Sequence, residues 1–309
     1  MGRWFTPLAV ATALLTIGLI VLGAVVRVTD SGMGCGDDWP LCNGSIFPPL
    51  DDITAWIEWT HRLVAMLIGV LGIGMLVTGW SGYRKDNSRV LKITLVAAGL
   101  YAVVAGLGRF VVAHELHPDL VTLHLGVAFL LLACFITAAL FATYRPAVTV
   151  KRDRFTTLAY LTAALAYVIV LTGALVRGSG ATLACPDYPL CNGQVLPFGQ
   201  GQLQVIHMMH RLAVAGLGIA LVLLVWSAYK NRQAGVSRRL ALGAFLLYLV
   251  QAAIGAFFVA SSAAAVFGAA HVGFAAATWA SLVALSVIET MSSRASETTT
   301  EWQSKPLPN

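Results

Sequence analysis

Residues 7–28 read PLAVATALLTIGLIVLGAVVRV, an uninterrupted apolar run that carries a single charged residue, Arg27. A helix needs about 20 such residues to cross the ~30 Å hydrocarbon core of a bilayer. Seven further runs of this kind follow, near 57–80, 93–113, 119–143, 157–177, 204–228, 241–260 and 266–288. They are continuously apolar rather than alternating, which favours helices over a membrane β-barrel. The sequence therefore predicts an all-α membrane protein with eight transmembrane helices.

The composition agrees with this fold class. Of 309 residues, 58% are hydrophobic and only 11% charged, which excludes an ordinary soluble enzyme and a disordered chain. Most of the 20 Lys and Arg residues lie before the first run, after the even-numbered runs or in the C-terminal tail. The positive-inside rule predicts that these segments, and so both termini, are cytoplasmic. The net charge of +6 reflects this topology, and no nucleic-acid partner is expected.

An internal repeat divides the chain. Residues 23–49 read GAVVRVTDSGMGCGDDWPLCNGSIFPP, and residues 173–198 read GALVRGSGATLACPDYPLCNGQVLPF. Further identities follow in order along both halves: His61 and His210, Tyr101 and Tyr248, Gly108 and Gly255, and His124 and His271. We predict two four-helix bundles, 1–147 and 148–288, and a disordered cytoplasmic tail, 289–309. An even number of spans in each half gives a parallel repeat, with a pseudo-two-fold axis along the membrane normal.

Four of the five cysteines lie in the two large outer loops. An oxidising outer face predicts two intraloop disulfides, Cys35–Cys42 and Cys185–Cys191. Either both disulfides only stabilise their loops, or the Cys35–Cys42 pair also has a redox role. Cys134 lies within an apolar run and is predicted to be a small packing residue. No C-x-x-C-H motif is present, which excludes covalent c-type haem.

Ionisable residues within membrane spans are costly and mark functional sites. Each half has two histidines, His61 with His124 and His210 with His271, inside the outer ends of even-numbered runs. Facing helices in a bundle lie 8–10 Å apart, which suits two imidazoles ligating one iron atom. Zinc or copper would require further ligands nearby. The remaining alternative is that the histidines bind no metal and only pack within the helix bundle. We predict one bis-histidine haem site in each half, with the iron as the bound metal.

Other polar residues surround these histidines. Four arginines near the outer helix ends either contact haem propionates or extend to lipid headgroups; they are Arg27, Arg62, Arg177 and Arg211. Glu58 lies one turn before His61 and corresponds to His207 in the second half. It is either a proton-transferring carboxylate or an ion-pair partner of Arg62. We assign no role to His114, His117 or His207.

In combination, the duplicated bundles, the four histidines, Glu58 and the paired loop cysteines resemble the haem A synthase family, in its bacterial form. The resemblance covers about residues 1–288. It implies an oxidoreductase acting on a CH group, in the inner (plasma) membrane, with its haem sites toward the outer face. The implied reaction oxidises the C8 methyl group of haem O to a formyl group through a hydroxymethyl intermediate, giving haem A for terminal oxidases.

The same resemblance assigns individual roles. His210 and His271 would hold a haem b cofactor, and His61 and His124 would hold the substrate haem O. Glu58 would be the catalytic carboxylate, and Cys35 and Cys42 the functionally important cysteine pair. The implied partners are membrane lipid, a haem O synthase (protohaem farnesyltransferase) and an electron donor.

Two other classes of function compete with an enzyme. A di-haem cytochrome b that only transfers electrons would use the same four histidines, but it has no need of an acid such as Glu58 in one half. A transporter is suggested by the repeat, and it would require helices broken by proline at mid-membrane. The 11 prolines lie in loops and at helix or chain ends, which disfavours transport.

Overall fold

The computed structural model describes residues 2–146, 150–233 and 235–303. Within them it has eight helices long and apolar enough to cross a membrane, which confirms the predicted fold class, and no named strand. They are α1 (Phe5–Val28), α2 (Ile53–Tyr83), α3 (Ser88–Ala113), α4 (Pro118–Thr143), α5 (Arg154–Gly178), α6 (Gln202–Asn231), α7 (Val236–Ala260) and α8 (Ala265–Gln303). Each helix contains the apolar run from which it was predicted.

The helices form two four-membered rings. In the first half α1 packs on α2, α2 on α3, α3 on α4, and α4 back on α1; helices α5 to α8 repeat this order. Between the halves, α1 packs on α8, α4 on α5, and α4 on α8. Exchanging the halves converts the α1–α8 contact into the α5–α4 contact and leaves the α4–α8 pair unchanged. This pattern is the one that a two-fold relation between the halves requires. The predicted boundary between them, at 147/148, lies outside the described residues.

An aromatic cluster joins the two halves. Trp279 on α8 lies 5.5 Å from Phe129 on α4 and 5.7 Å from Tyr167 on α5, measured between ring centroids. Its indole N–H donates a 3.0 Å hydrogen bond to the backbone carbonyl of Ala163. This satisfies the one polar atom of a ring that is otherwise packed in apolar surroundings. The halves therefore share a continuous packed core.

A buried ionic network closes the second half at the end opposite the four histidines. Arg232 follows α6, and its guanidinium lies 2.7 Å from the carboxylate of Asp153 and 2.6 Å from that of Glu289. It also lies over the ring of Phe155, 4.6 Å from the centroid. Glu289 is 1% exposed and accepts a further hydrogen bond from Ser237.

The network corrects the predicted tail. Residues 289–293, expected to be disordered, belong to α8, and Glu289, Ser292 and Ser293 are buried. Their polar composition is compatible with a packed helix because the one charge among them, on Glu289, is paired with Arg232. Helix α8 runs to Gln303, and the last six residues of the predicted tail, 304–309, lie outside the described residues.

The network belongs to the second half alone. In the first half Tyr83 occupies the position of Arg232, and its ring contacts Phe5, the counterpart of Phe155, at 5.1 Å. Ala142 occupies the position of Glu289. An aromatic contact thus replaces the ionic one.

The charges of the network are mutually stabilised. The hydrogen bonds from Arg232 lower the pKa of Asp153 to about 2. Burial lowers the pKa of Arg232, but its hydrogen bonds to Asp153 and Glu289 outweigh that effect and raise it. A carboxyl group with a depressed pKa contributes stability above its unfolded pKa, and that contribution is lost as the pH falls toward 2. Asp153 and Arg232 are therefore both charged at neutral pH.

Replacing Glu289 with Ala should destabilise the protein. The substitution removes a carboxylate that accepts two hydrogen bonds from Arg232 and one from Ser237, while Arg232 keeps its pairing with Asp153. Leaving buried donors without their acceptor typically costs about 1–3 kcal/mol each, and more for charged groups. Thermal unfolding of the purified protein in detergent should show a clearly lower midpoint for Glu289→Ala. The control is Asp86→Asn, which removes an exposed carboxylate at the same end of the molecule.

A second variant tests the cause of that loss. Combining Glu289→Ala with Arg232→Tyr reproduces the pair found in the first half, and we expect it to recover much of the lost stability. A Glu289→Ala variant as stable as the parent protein would contradict this account of the network.

Candidate functional site

The structure places the four predicted histidines at one end of the molecule. His61 and His210 are the ninth residues of α2 and α6, and His124 and His271 are the seventh residues of α4 and α8. Even-numbered helices of an eight-span chain all start on the same side, so the four imidazoles lie at matching depths. At a rise of about 1.5 Å per residue they lie roughly 10–13 Å inside the helix starts. The two disulfide loops cover the same end.

Each histidine packs against a glycine on the preceding helix. A Cβ atom on any of these glycines would stand 2.9–3.3 Å from the imidazole Cε1, which is too close for a side chain without displacement. The four contacts are Gly23 with His61, Gly108 with His124, Gly173 with His210 and Gly255 with His271. This close approach explains why the glycines repeat together with the histidines.

A tyrosine fixes the neighbouring helix in each half. The hydroxyl of Tyr101 on α3 donates a 2.9 Å hydrogen bond to the carbonyl of Ala65 on α2, one turn beyond His61. Tyr248 on α7 donates the same bond, also 2.9 Å long, to Val214 on α6. His61 and His124 lie on α2 and α4, which are opposite helices of the first ring, and His210 and His271 lie on α6 and α8, the opposite helices of the second. The structure therefore places each predicted pair within one half of the molecule.

The second imidazole nitrogen distinguishes the two halves. Nδ1 of His210 lies 2.8 Å from the hydroxyl of Thr172, and Nδ1 of His271 lies 3.0 Å from the carbonyl of Gln251. In the first half Nδ1 of His61 and Nδ1 of His124 are buried without a partner among the described residues. His124 faces the Val104 carbonyl, the counterpart of Gln251, without completing a hydrogen bond. Thr172 was not among the predicted site residues, although the repeat already shows that Leu22 occupies its position in the first half.

Glu58 is buried beneath the first disulfide loop, with 3% of its surface exposed. Its Oε2 accepts a 2.9 Å hydrogen bond from the backbone N–H of Cys35. Its Oε1 accepts two from Arg62, at 3.1 and 2.5 Å. The ion pair that the sequence left open is thus present, and it holds the carboxylate beside His61.

The two arginines that follow the histidines point into the loops. Arg62 donates to the carbonyls of Asp38 and Leu41 at 2.6 and 2.8 Å. Arg211 donates to the equivalent carbonyls of Asp187 and Leu190 at 2.6 and 2.5 Å. Because these bonds occupy the guanidinium groups, they give no support to the predicted propionate contacts of Arg62 and Arg211.

The other two arginines lie together at the helix ends. Nη2 of Arg177 donates a 3.1 Å hydrogen bond to the carbonyl of Arg27, and it lies 3.5 Å from the exposed carboxylate of Asp30. This pairing uses only part of the guanidinium of Arg177. The predicted propionate contact of Arg27 and Arg177 stays a prediction.

The loops repeat in structure as well as in sequence. Both disulfides form, with Cα–Cα distances of 4.2 Å for Cys35–Cys42 and 4.6 Å for Cys185–Cys191. After each second cysteine an Asn-Gly pair turns the chain with positive φ at both residues, 50° and 77° in one loop and 48° and 79° in the other. Positive φ at two central residues is the signature of a type I′ turn.

The second loop has an additional anchor. The carboxylate of Asp187 accepts hydrogen bonds from the backbone N–H groups of Gly193 and Asn192, at 2.9 and 2.6 Å. These bonds lower the pKa of Asp187. In the first loop the N–H of Asn43 instead donates to the carbonyl of Cys35.

The remaining candidate residues do not form a single site, although His117 donates a 3.1 Å backbone hydrogen bond to His114. His207, at the position of Glu58, is 5% exposed, and its Nδ1 has no partner among the described residues. His114 packs on Phe110, with 4.0 Å between ring centroids, and His117 is exposed near Asp119. Cys134 is buried in the first core, as predicted.

No other site competes with the histidine pairs in the described part of the chain. The described residues contain no group of three or more His, Cys, Asp or Glu that could hold a metal ion. A cavity of about 200 Å³ lies at the opposite end of α2, lined by residues 80–82 and 84–86. It is remote from all four histidines.

Comparisons with known proteins agree with this architecture. A sequence profile of the COX15-CtaA family, described as cytochrome oxidase assembly protein, matches residues 6–55 and 51–283. The chain is 34% identical to the Heme A synthase of Halalkalibacterium halodurans over 229 residues, which are 70% of this chain and 75% of that protein. It is 36% identical to that of Symbiobacterium thermophilum over 251 residues, 77% and 80% of the two chains. It is 31% identical to that of Bacillus mycoides over 307 residues, 94% and 95% of the two chains.

The residues matched by the profile span both four-helix halves and include all four histidine positions and both disulfide loops. The chain therefore belongs to the COX15-CtaA family of cytochrome oxidase assembly proteins.

Proposed function

We propose that this protein is a haem A synthase, an oxidoreductase that acts on a CH group of its substrate. It oxidises the C8 methyl group of haem O to a formyl group through a hydroxymethyl intermediate. The observation that carries the proposal is a duplicated pair of buried histidines in which only one pair has a buried acid, Glu58, beside it. The printed names of the relatives, Heme A synthase, support the same reaction.

The side chains present fit a bound haem in each half. Two imidazoles on separate helices at matching depth would hold a haem iron, and the apolar bundle suits a porphyrin. The glycine contacts leave each ring little freedom to turn. When bound, a haem b in the second half would supply one-electron transfer, which the protein side chains do not provide.

The two halves take different roles in this proposal. His61 and His124 hold the substrate haem O, because the carboxylate of Glu58 lies in that half. His210 and His271 hold the haem b cofactor, and the corresponding position there is His207. The first half thus combines the proposed substrate ligands with a buried acid, and the second half has a histidine in place of that acid.

Glu58 acts on protons. Oxidation of the hydroxymethyl group to the formyl group releases two protons and two electrons, and a buried carboxylate beside the substrate is placed to accept a proton. Arg62 and the N–H of Cys35 hold both carboxylate oxygens, so the acceptor is oriented before substrate arrives. The same negative charge stabilises positive charge that develops near the methyl carbon.

The first disulfide acts through Glu58. Because Cys35 supplies a hydrogen bond to the carboxylate, closing the loop with Cys42 fixes the position of that donor. Arg62 bonds both to Glu58 and to the loop carbonyl of Leu41. The Cys35–Cys42 pair therefore supports the catalytic carboxylate as part of one connected unit.

The orientation in the inner (plasma) membrane follows from the basic residues. Both termini and the positively charged loops face the cytoplasm, so the histidines and disulfide loops face outward. Haem O is the substrate, and a haem O synthase and an electron donor are the protein partners. An oxidising outer environment is compatible with the two disulfides.

In protein that carries His61→Ala, so that the first half does not contribute, replacing His210 or His271 with Ala should abolish the low-spin b-type absorbance of the purified, reduced protein. Each substitution removes one of the two nitrogen ligands that we assign to the cofactor. The measurement is the visible spectrum of protein that remains monodisperse in detergent. His114→Ala, which removes an exposed histidine, is the matched control. An unchanged spectrum in the His210 and His271 variants would sink the ligand assignment.

Glu58→Gln should retain bound haem but lower the conversion of haem O by at least about 100-fold. The amide keeps the size of the side chain and a hydrogen-bond acceptor for Cys35, but it removes the proton-accepting carboxylate, and general acid–base groups contribute about 10²–10⁴-fold. The readout is chromatography of haem extracted from membranes. Glu115→Gln, at an exposed turn, is the control. Full conversion by Glu58→Gln would rule out the catalytic role.

A further inference from the structure

The two histidine pairs differ most at the residue next to Nδ1 of the histidine on the second helix of each half, His61 or His210. Thr172 on α5 contacts Nδ1 of His210. Its counterpart on α1 is Leu22, adjacent to Gly23 in the same way that Thr172 is adjacent to Gly173. A hydroxyl group is thus present beside one imidazole and absent beside the other.

The hydrogen bond between Thr172 and Ile169 determines which atom donates in the bond between Thr172 and His210. Its hydroxyl lies 2.8 Å from the carbonyl of Ile169, and a carbonyl oxygen can only accept. The single hydroxyl proton goes to Ile169, so the oxygen presents a lone pair to Nδ1 of His210, 2.8 Å away. His210 therefore carries its proton on Nδ1, and the lone pair of Nε2 is free for a metal.

The partner histidine is in the same form. Nδ1 of His271 lies 3.0 Å from the carbonyl of Gln251, which requires the proton to be on Nδ1. Both imidazoles of the second half are thus held as the tautomer that ligates iron through Nε2. Ligating histidines generally have such a second-shell acceptor, which fixes the ring and raises its basicity.

The first half lacks this restraint. With Leu22 in place of the threonine, Nδ1 of His61 is buried with no hydrogen-bond partner among the described residues. Packing against Gly23 limits the ring, but no acceptor defines its tautomer. An enzyme that admits one haem and releases another needs weaker ligation at the exchanging site than at the permanent one.

We propose that Thr172 is a positioning residue that makes the second half the permanent haem site, and that Leu22 leaves His61 free to exchange its haem. This inference rests on the proposed function, since it takes His210 and His61 as axial ligands. Thr172 acts only through His210. By raising the basicity of that imidazole it also stabilises ferric over ferrous iron, which lowers the reduction potential.

The test removes the hydroxyl without changing the shape of the side chain. Thr172→Val is made in full-length protein carrying His61→Ala, so that the second-half haem alone contributes to the signal. We expect haem transfer to apomyoglobin to accelerate about tenfold or more, the usual effect of losing a second-shell partner, and the reduction potential to rise. Thr172→Ser should restore both values.

A matched control removes a hydroxyl from the same helix. Thr162 is buried on α5, and its hydroxyl bonds only to the carbonyl of Leu158 in its own helix. Thr162→Val should leave both the rate of haem loss and the potential unchanged. An equal change in the two variants would assign the effect to general loosening of α5 and overturn the proposal.

The converse variant tests the first half independently. Leu22→Thr introduces the missing hydroxyl beside His61, and we expect it to slow haem loss from the first half and to slow release of product. A Leu22→Thr variant with unchanged haem loss would contradict the proposal even if Thr172→Val did not fold.

Failure of this inference is distinguishable from failure of the proposed function. If the parent protein shows no low-spin haem that depends on His210, the ligand assignment fails, and the proposal falls with it. If that haem is present but Thr172→Val changes neither its potential nor its rate of loss, the assignment stands and the role of Thr172 is wrong.

Discussion

In four places an imidazole ring lies directly against a glycine of the neighbouring helix, at Gly23 and His61 and at the three related positions. The positions of the four histidines depend on these contacts. A larger residue in place of glycine would push the helix pair apart or turn the ring. The helices bury few polar groups along their apolar segments, so these glycine contacts determine where the imidazole nitrogen atoms lie. The spacing of α1 to α2, and of each corresponding pair, follows from them.

A duplicated scaffold with different substitutions explains how one fold provides two unlike sites. The glycines, the histidines, the tyrosine bonds and the disulfide loops repeat, so both halves present an equivalent pair of imidazoles. The differences are few and local: Glu58 against His207, Leu22 against Thr172, Tyr83 against Arg232, and Ala142 against Glu289. In the proposed function, Glu58 and His207 differ in proton chemistry, and Leu22 and Thr172 differ in how they orient the neighbouring histidine. The other two differences concern the ionic network at the opposite end of the molecule. The repeat thus gives each half an equivalent pair of histidines, and the few residues that differ between the halves make the surroundings of the two pairs different.

Much of this arrangement could be predicted from the sequence. Apolar runs define the eight helices, and repeated residues reveal the pairing of His61 with His124 and both disulfides. The direction of Arg62 could not be predicted, because an arginine beside a haem ligand and one bonded to loop carbonyls have the same sequence pattern. Glu289 was assigned to a tail since its partner, Arg232, lies 57 residues away. Thr172 resembles any threonine in an apolar helix until the position of the facing imidazole is known.

Conversion of haem O to haem A can be measured by chromatography of the haem extracted from cells that express the chain together with a farnesyltransferase that produces haem O. We expect haem A, or its hydroxymethyl precursor, to appear only when the chain is present. Recovery of haem B and haem O alone, from cells in which the protein is folded and loaded with haem, would contradict the proposed conversion and favour an electron-transferring cytochrome.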